Sequence, residues 1–268
     1  MPTRNIHQWE TDICEVVSND DEEEIVIRGK RMSDLIGNVS FVDGIFLMLQ
    51  GRLPEPNESR VLDALMIASI EHGIAPPSMV SRCFASYGTS LQVAIGGAVL
   101  SFGDRMGGLG EQLAVLMVET LTAGQRDPNS IEDDQLKTIA HEVVTDYAAR
   151  GERLPGYGIP LHGADPRAPG VLAVAKREQT FGAYCRFAAY LGEALAESRN
   201  GKEIPMNVDG VSAAVILDLG FSWQTTRMFL ITARTVSATA HFIEEQAQDT
   251  TWRHIPAAAI DYGGEQPG

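Results

Sequence analysis

The sequence predicts an all-α protein. Apolar residues recur at helical spacing over most of the chain, and only Ile25-Val26-Ile27, just before Gly29, reads as a strand. Proline and glycine break the helical stretches at short intervals. No fixed period repeats, which disfavours a stacked-repeat architecture.

Taken in order, the acidic run Ser18-Asn19-Asp20-Asp21-Glu22-Glu23-Glu24 is a solvated turn. Ser33 is placed to cap a helix ending near Gly51, with Leu35, Ile36, Val39, Val42, Phe46, Leu47 and Leu49 at helical spacing. After Pro54-Glu55-Pro56-Asn57 a second helix carries Val61, Leu62, Leu65, Met66 and Ala68 and stops at His72-Gly73. Pro76-Pro77-Ser78 restarts a helix through Ser86. Residues 91–102 are rich in Ala and Gly, which predicts a helix packed closely against others. Helical patterns over 113–121, 136–149, 171–176, 181–198, 206–219 and 223–245 complete a set of about ten helices. Residues 163–223 are expected to form a smaller helical domain, and 1–162 with 224–268 a larger one. The connection at 155–167 then falls at the seam, where ligand sites often occur.

Composition narrows the function. Hydrophobic residues make up 44% of the 268, enough for a sizeable core. The formal net charge is −15, so the chain gains little by neutralising nucleic-acid phosphates or an anionic membrane surface. No apolar run reaches membrane-spanning length, and residues 1–6 carry no signal-peptide core. Cys14, Cys83 and Cys185 are odd in number and show neither metal spacing nor a disulfide framework. A cytoplasmic, metal-free protein with reduced thiols is expected.

Five motifs could carry chemistry. In Pro155-Gly156-Tyr157-Gly158-Ile159-Pro160-Leu161-His162-Gly163-Ala164-Asp165-Pro166-Arg167, two glycines flank an aromatic, so the backbone can bend and come close to a bound group. Arg167 offers a planar fork for a carboxylate, while Asp165 either begins a turn or caps the next helix. His72, in Glu71-His72-Gly73, either donates to an anion or simply meets a helix end. Gly103-Asp104-Arg105-Met106-Gly107-Gly108 either exposes N–H groups to an anion or makes a tight corner. Asp209 is a cap or, among Val208, Val211 and Ala213, a desolvated acid suited to proton transfer. Arg234, inside an apolar helix, needs a counter-charge, either from Glu244 and Glu245 or from a ligand carboxylate. Arg253 adds a cation near the C-terminus.

These segments, with Gly51-Arg52-Leu53-Pro54, occur in an order that resembles the citrate synthase superfamily and its short citryl-CoA lyase branch, over about residues 27–262. The resemblance implies a homodimer of two-domain helical subunits that joins or separates acetyl-CoA and oxaloacetate through citryl-CoA. It implies coenzyme A as thioester substrate or product, a di- or tricarboxylate partner, and no metal. By that resemblance Asp209 moves the proton at the acetyl methyl carbon. His72, Arg167 and Arg234 hold carboxylates, Arg253 corresponds by a looser match to the arginine that reaches across the dimer to the substrate, and Gly156, Tyr157 and Gly158 lie against the CoA nucleotide. The chain departs from the family at two positions. Met106 stands where a histidine steadies the enol, a position at which related lyases also vary. Ile159 stands where a histidine polarises the keto oxygen or takes the hydroxyl proton. Losing one oriented donor costs on the order of 10²–10³ in rate, and losing a general base on the order of 10²–10⁴. Two functions follow: a carbon–carbon bond-forming or bond-breaking acyl-CoA enzyme, or an impaired homologue that binds acyl-CoA or dicarboxylate in a regulatory or subunit role.

Overall fold

A computed structural model describes residues 9–158, 165–249 and 251–265. Its first element is a small antiparallel sheet, β1 (Cys14–Ser18), β2 (Glu23–Ile27) and β3 (Lys30–Arg31), ordered β1-β2-β3 with Cys14 opposite Ile27. The acidic run spans the β1–β2 turn, where Asn19 N donates to Glu22 O at 3.0 Å. The sequence reading missed β1 because this strand buries no apolar face: Val16 stays 72% exposed.

The single helix expected from Ser33 to Gly51 is two, α1 (Met32–Leu35) and α2 (Phe41–Gln50). Gly37 turns the chain at φ 82°, and Ser40 begins a new helix. Asp43 N donates to Ser40 Oγ at 3.1 Å and Ser40 N to Asp43 Oδ2 at 2.9 Å. That reciprocal pair satisfies donors a continuous helix would leave to neither residue. Gly51 ends α2 in the left-handed region, at φ 75°.

Among the described residues nine further α-helices follow: α3 (Pro56–Ser69), α4 (Pro76–Ser86), α5 (Leu91–Leu100), α6 (Leu109–Leu121), α7 (Asp133–Ala149), α8 (Arg167–Arg177), α9 (Ala183–Glu197), α10 (Val208–Asp218) and α11 (Thr226–Ala247). The all-helical expectation holds. The centre is α10, apolar on every side and packed against α3, α6, α8 and α9. Phe46, Phe221 and Phe229 stack beside it, with ring centroids 4.6 and 5.0 Å apart. Helices α4, α5 and α11 pack on one another around Ala85, Ala94 and Phe242. Gly97 permits the close packing expected of α5, since a Cβ there would lie 2.3 Å from the Phe84 ring.

Candidate functional site

The site is built at the start of α10. Asn207, not Asp209, caps this helix: its Oδ1 accepts from Gly210 N at 3.1 Å. Asp209 is therefore free of the capping duty and sits in the first turn. Three glycines hold that turn in place. A Cβ on Gly210 would lie 2.4 Å from Gly156 O, one on Gly156 2.8 Å from Gly210 Cα, and one on Gly110 2.9 Å from Asp209 O. The loop before α8 and the N-terminal turn of α6 thus touch α10 backbone to backbone. Hydrogen bonds lock the register: Gly158 N to Pro205 O at 2.8 Å, Asn207 N to Gly156 O at 3.0 Å, and Asn207 Nδ2 to Gly158 O at 2.9 Å.

Burial pushes the Asp209 carboxyl up to about 6, against the opposing pull of Arg167 and Arg234 and with a further push from Asp165. Both arginines are therefore close enough for their charges to act on it. Arg167 opens α8, and its Nε and Nη2 bond Asp165 at 2.8 and 2.6 Å. Burial raises the Asp165 carboxyl, but the Arg167 bonds outweigh it and hold Asp165 below the usual carboxylate range. The remaining Arg167 nitrogen, Nη1, is buried with no hydrogen-bond partner among the described residues. Such an orphan donor is costly unless a ligand satisfies it. Arg234 lies on α11 and is 7% exposed, with its Nε on Ser69 O at 2.7 Å. Its guanidinium pKa falls with burial, while Glu71 and Asp209 support the charge. His72, in the α3–α4 turn, acts electrostatically on Asp165. The structure thus brings Asp209, Arg167, Arg234 and His72 into one electrostatic cluster.

Beside this cluster opens a cavity of about 1000 Å³, bordered by Pro155, Tyr157 and Gly158 and by Arg105, Arg153 and Arg199. Its two acids are already paired, Asp104 with Arg227 and Glu152 with Arg150, each at 2.9 Å. Among the described residues no carboxylate pairs with Arg105, Arg153 or Arg199. An acidic chain has gathered uncompensated positive charge in one concavity, which suits a polyanion.

Residues 54–255 match the family described as Citrate synthase, C-terminal domain. This chain belongs to the citrate synthase family. The solved citryl-CoA lyase of Hydrogenobacter thermophilus is 32% identical, with a TM-score of 0.83 over 97% of this chain and 96% of that one. The citrate/2-methylcitrate synthase of Bacillus subtilis is 26% identical over 222 residues, 80% of this chain and 55% of that protein. The ATP citrate lyase of Methanothrix soehngenii, solved with citrate and coenzyme A, shares the fold at a TM-score of 0.77 and 17% identity. The chain spans about half the length of the curated relatives it matches.

The positions expected from the citrate synthase family fall unevenly on the structure. Ile159 and His162 lie outside the described residues. Met106 closes a tight turn, its N–H and carbonyl both bonded to Gly103, at 3.0 and 2.9 Å. Tyr157 points its ring into the core and donates to Ala188 O, and burial pushes the phenol pKa up. Gly156 faces α10 and α6, whereas Gly158 borders the cavity. Within one subunit Arg253 clasps Glu245 with two bonds of 2.7 Å. Glu245 lies eleven residues beyond Arg234 on α11, about 16 Å along the axis. Glu245 is therefore too far to be the counter-charge expected for Arg234, and Glu244 instead pairs with Arg82. The nearer acid is Glu71, which the sequence reading passed over although it adjoins His72. The three cavity arginines were also missed. Arg105 lies inside the glycine motif at 103–108, which was read for its backbone N–H groups alone, while Arg153 and Arg199 follow helices with no local pattern to mark them.

Proposed function

We propose that the chain forms or breaks the carbon–carbon bond between the acetyl group of a CoA thioester and an oxaloacetate-type 2-oxo acid, with citryl-CoA as the joined species. The observation that carries this reading is Asp209, a desolvated acid with a pKa near 6 beside two carboxylate-binding arginines. In the joining direction its carboxylate takes a proton from the thioester methyl. The electron pair left behind attacks the keto carbon, whose oxygen takes a proton from water and becomes the hydroxyl. In cleavage that hydroxyl gives up its proton, the same bond breaks, and protonated Asp209 returns a proton to the leaving carbon. Arg167 through Nη1, Arg234 and His72 hold the substrate carboxylates. Arg105, Arg153 and Arg199 meet the phosphates of coenzyme A, whose nucleotide lies along Gly158.

A homodimer is part of the same reading. The mutually packed α4, α5 and α11 turn Met79, Val93, Leu100, Val236 and Ile243 to solvent, and Leu100 is 85% exposed. A second copy would cover that apolar face. Residues 163–223 would act as the smaller domain.

Ile159 and Met106 favour a second reading, a protein that binds acyl-CoA and dicarboxylate without turning them over, since neither side chain carries a proton for the substrate oxygen. Calorimetry with CoA and citrate, followed by a citryl-CoA cleavage assay on the native chain and Asp209→Ala, separates the two. Turnover lost in Asp209→Ala supports the enzyme. Binding of both ligands with no turnover, in the native chain and in Ile159→His alike, supports the binder. Absence of CoA binding at millimolar ligand defeats both.

A further inference from the structure

A polar stripe runs along α11, and beyond Arg234 the proposed chemistry does not use it. Arg234, Ser237, His241 and Glu245 fall three, seven and eleven residues apart from the first, on one face of the helix. That face meets the α3–α4 turn and α4. Ser237 Oγ donates to Glu71 Oε2, and His241 Nε2 lies 3.5 Å from the same oxygen. The other Glu71 oxygen, Oε1, accepts from the backbone N–H of His72 at 2.8 Å. Behind His241, Arg82 donates from Nε to His241 Nδ1 at 3.0 Å and from Nη1 to Glu245 at 2.8 Å. Because Arg82 is always a donor, Nδ1 must accept. The His241 proton therefore sits on Nε2 and faces Glu71.

The site needs such a connection. Arg234 rides on a long helix, whereas His72 stands in the α3–α4 connection, three residues after α3 ends, and the chain then passes through Gly73 at φ 73°. Nothing in local helical geometry keeps the two in register. Glu71 spans the gap, with one oxygen on the His72 backbone and the other on α11. Glu71 also exerts the largest attraction of any acid on Arg234.

We propose that Glu71, oriented by Ser237 and His241, is a positioning residue that fixes the His72 turn against Arg234. The inference rests on the reading above, that His72 and Arg234 hold a substrate carboxylate. A counter-charge role alone makes the opposite forecast. Removing Glu71 leaves the site more positive, so an anion would bind more tightly. A loss of affinity therefore isolates the positioning role.

The test is calorimetry of citrate and, separately, of coenzyme A on the full chain. Glu71→Ala is expected to weaken citrate by about ten-fold or more, the scale of a charge-assisted hydrogen bond, and to leave CoA affinity within about two-fold. His241→Gln places an amide N–H where Nε2 stood and should stay within about two-fold of the native chain. His241→Asn cannot reach Glu71 and should weaken citrate by several-fold. Citrate binding unchanged or tighter in Glu71→Ala, while Arg234→Ala abolishes it, overturns the positioning role and leaves the carboxylate reading standing. Citrate binding indifferent to Arg234→Ala and His72→Ala overturns the carboxylate reading itself. If Glu71→Ala does not fold, the His241 pair decides: equal effects of Gln and Asn overturn the proposal.

Discussion

Asp209 links function and stability through one titration. Its folded pKa, about 6, lies above the ordinary 3.8, so protonation favours the fold. The benefit is complete below the ordinary value and disappears as pH rises through about 6. At pH 8 the ionised side chain costs the fold up to about 3 kcal/mol. Asp209→Asn should therefore raise the urea midpoint at pH 8, leave it nearly unchanged at pH 4, and lower turnover by about 10³-fold. In the native chain, kcat/KM in the joining direction should fall about ten-fold per unit below pH 6, because the proton acceptor becomes protonated. Arg167 gives the reverse stability result. Arg167→Ala strands buried Asp165 as an unpaired charge and should cost about 3 kcal/mol in urea unfolding. Because Arg167 depresses the Asp165 pKa, the stability this pair contributes is present above the ordinary carboxylate range and lost as pH falls below it.

The contact of α10 with α6 and with the loop at 155–158 admits no side chain at positions 156 and 210. Gly210→Ala would place a methyl 2.4 Å from Gly156 O, and backbone on both sides has little room to yield. It should cost about 2 kcal/mol or more in chemical denaturation and lower turnover, since the shift acts on the turn that carries Asp209. For Gly97→Ala the nearest atoms to the new methyl belong to the Phe84 side chain and not to backbone, so a smaller loss in the same measurement is expected. Much of this scale is legible in the sequence. Proline and glycine mark where α2 ends and where α3 and α4 begin. The break between α1 and α2 was missed because Ile36 and Val39 continue the apolar spacing, while Ser40 and Asp43 decide the boundary through two local bonds.

For the whole molecule, the exposed apolar face of α4, α5 and α11 tests the proposed dimer. Val236 and Ile243 stand seven residues apart on α11, and each is more than half exposed. Val236→Glu places a charge at the centre of that face. Sedimentation should show a native dimer and a monomeric variant, and a monomeric native chain would remove the dimer from the reading. No helix among the described residues is long and apolar enough to cross a membrane. Among them, too, no group of His, Cys, Asp and Glu is placed to hold a metal ion.

The sequence by itself determined the helical class and most helix boundaries, carried the resemblance to the family, and singled out Asp209, Arg167, Arg234 and His72 as candidates. Those follow from periodicity, breakers and ordered motifs, which are local along the chain. Only the tertiary structure decided which charges meet. It gave Arg234 to Glu71 instead of Glu245, gave Arg253 to Glu245, turned Tyr157 into the core, and gathered Arg105, Arg153 and Arg199 around one cavity. Electrostatic partnership depends on distance through space and on burial, and neither is set by spacing along the chain.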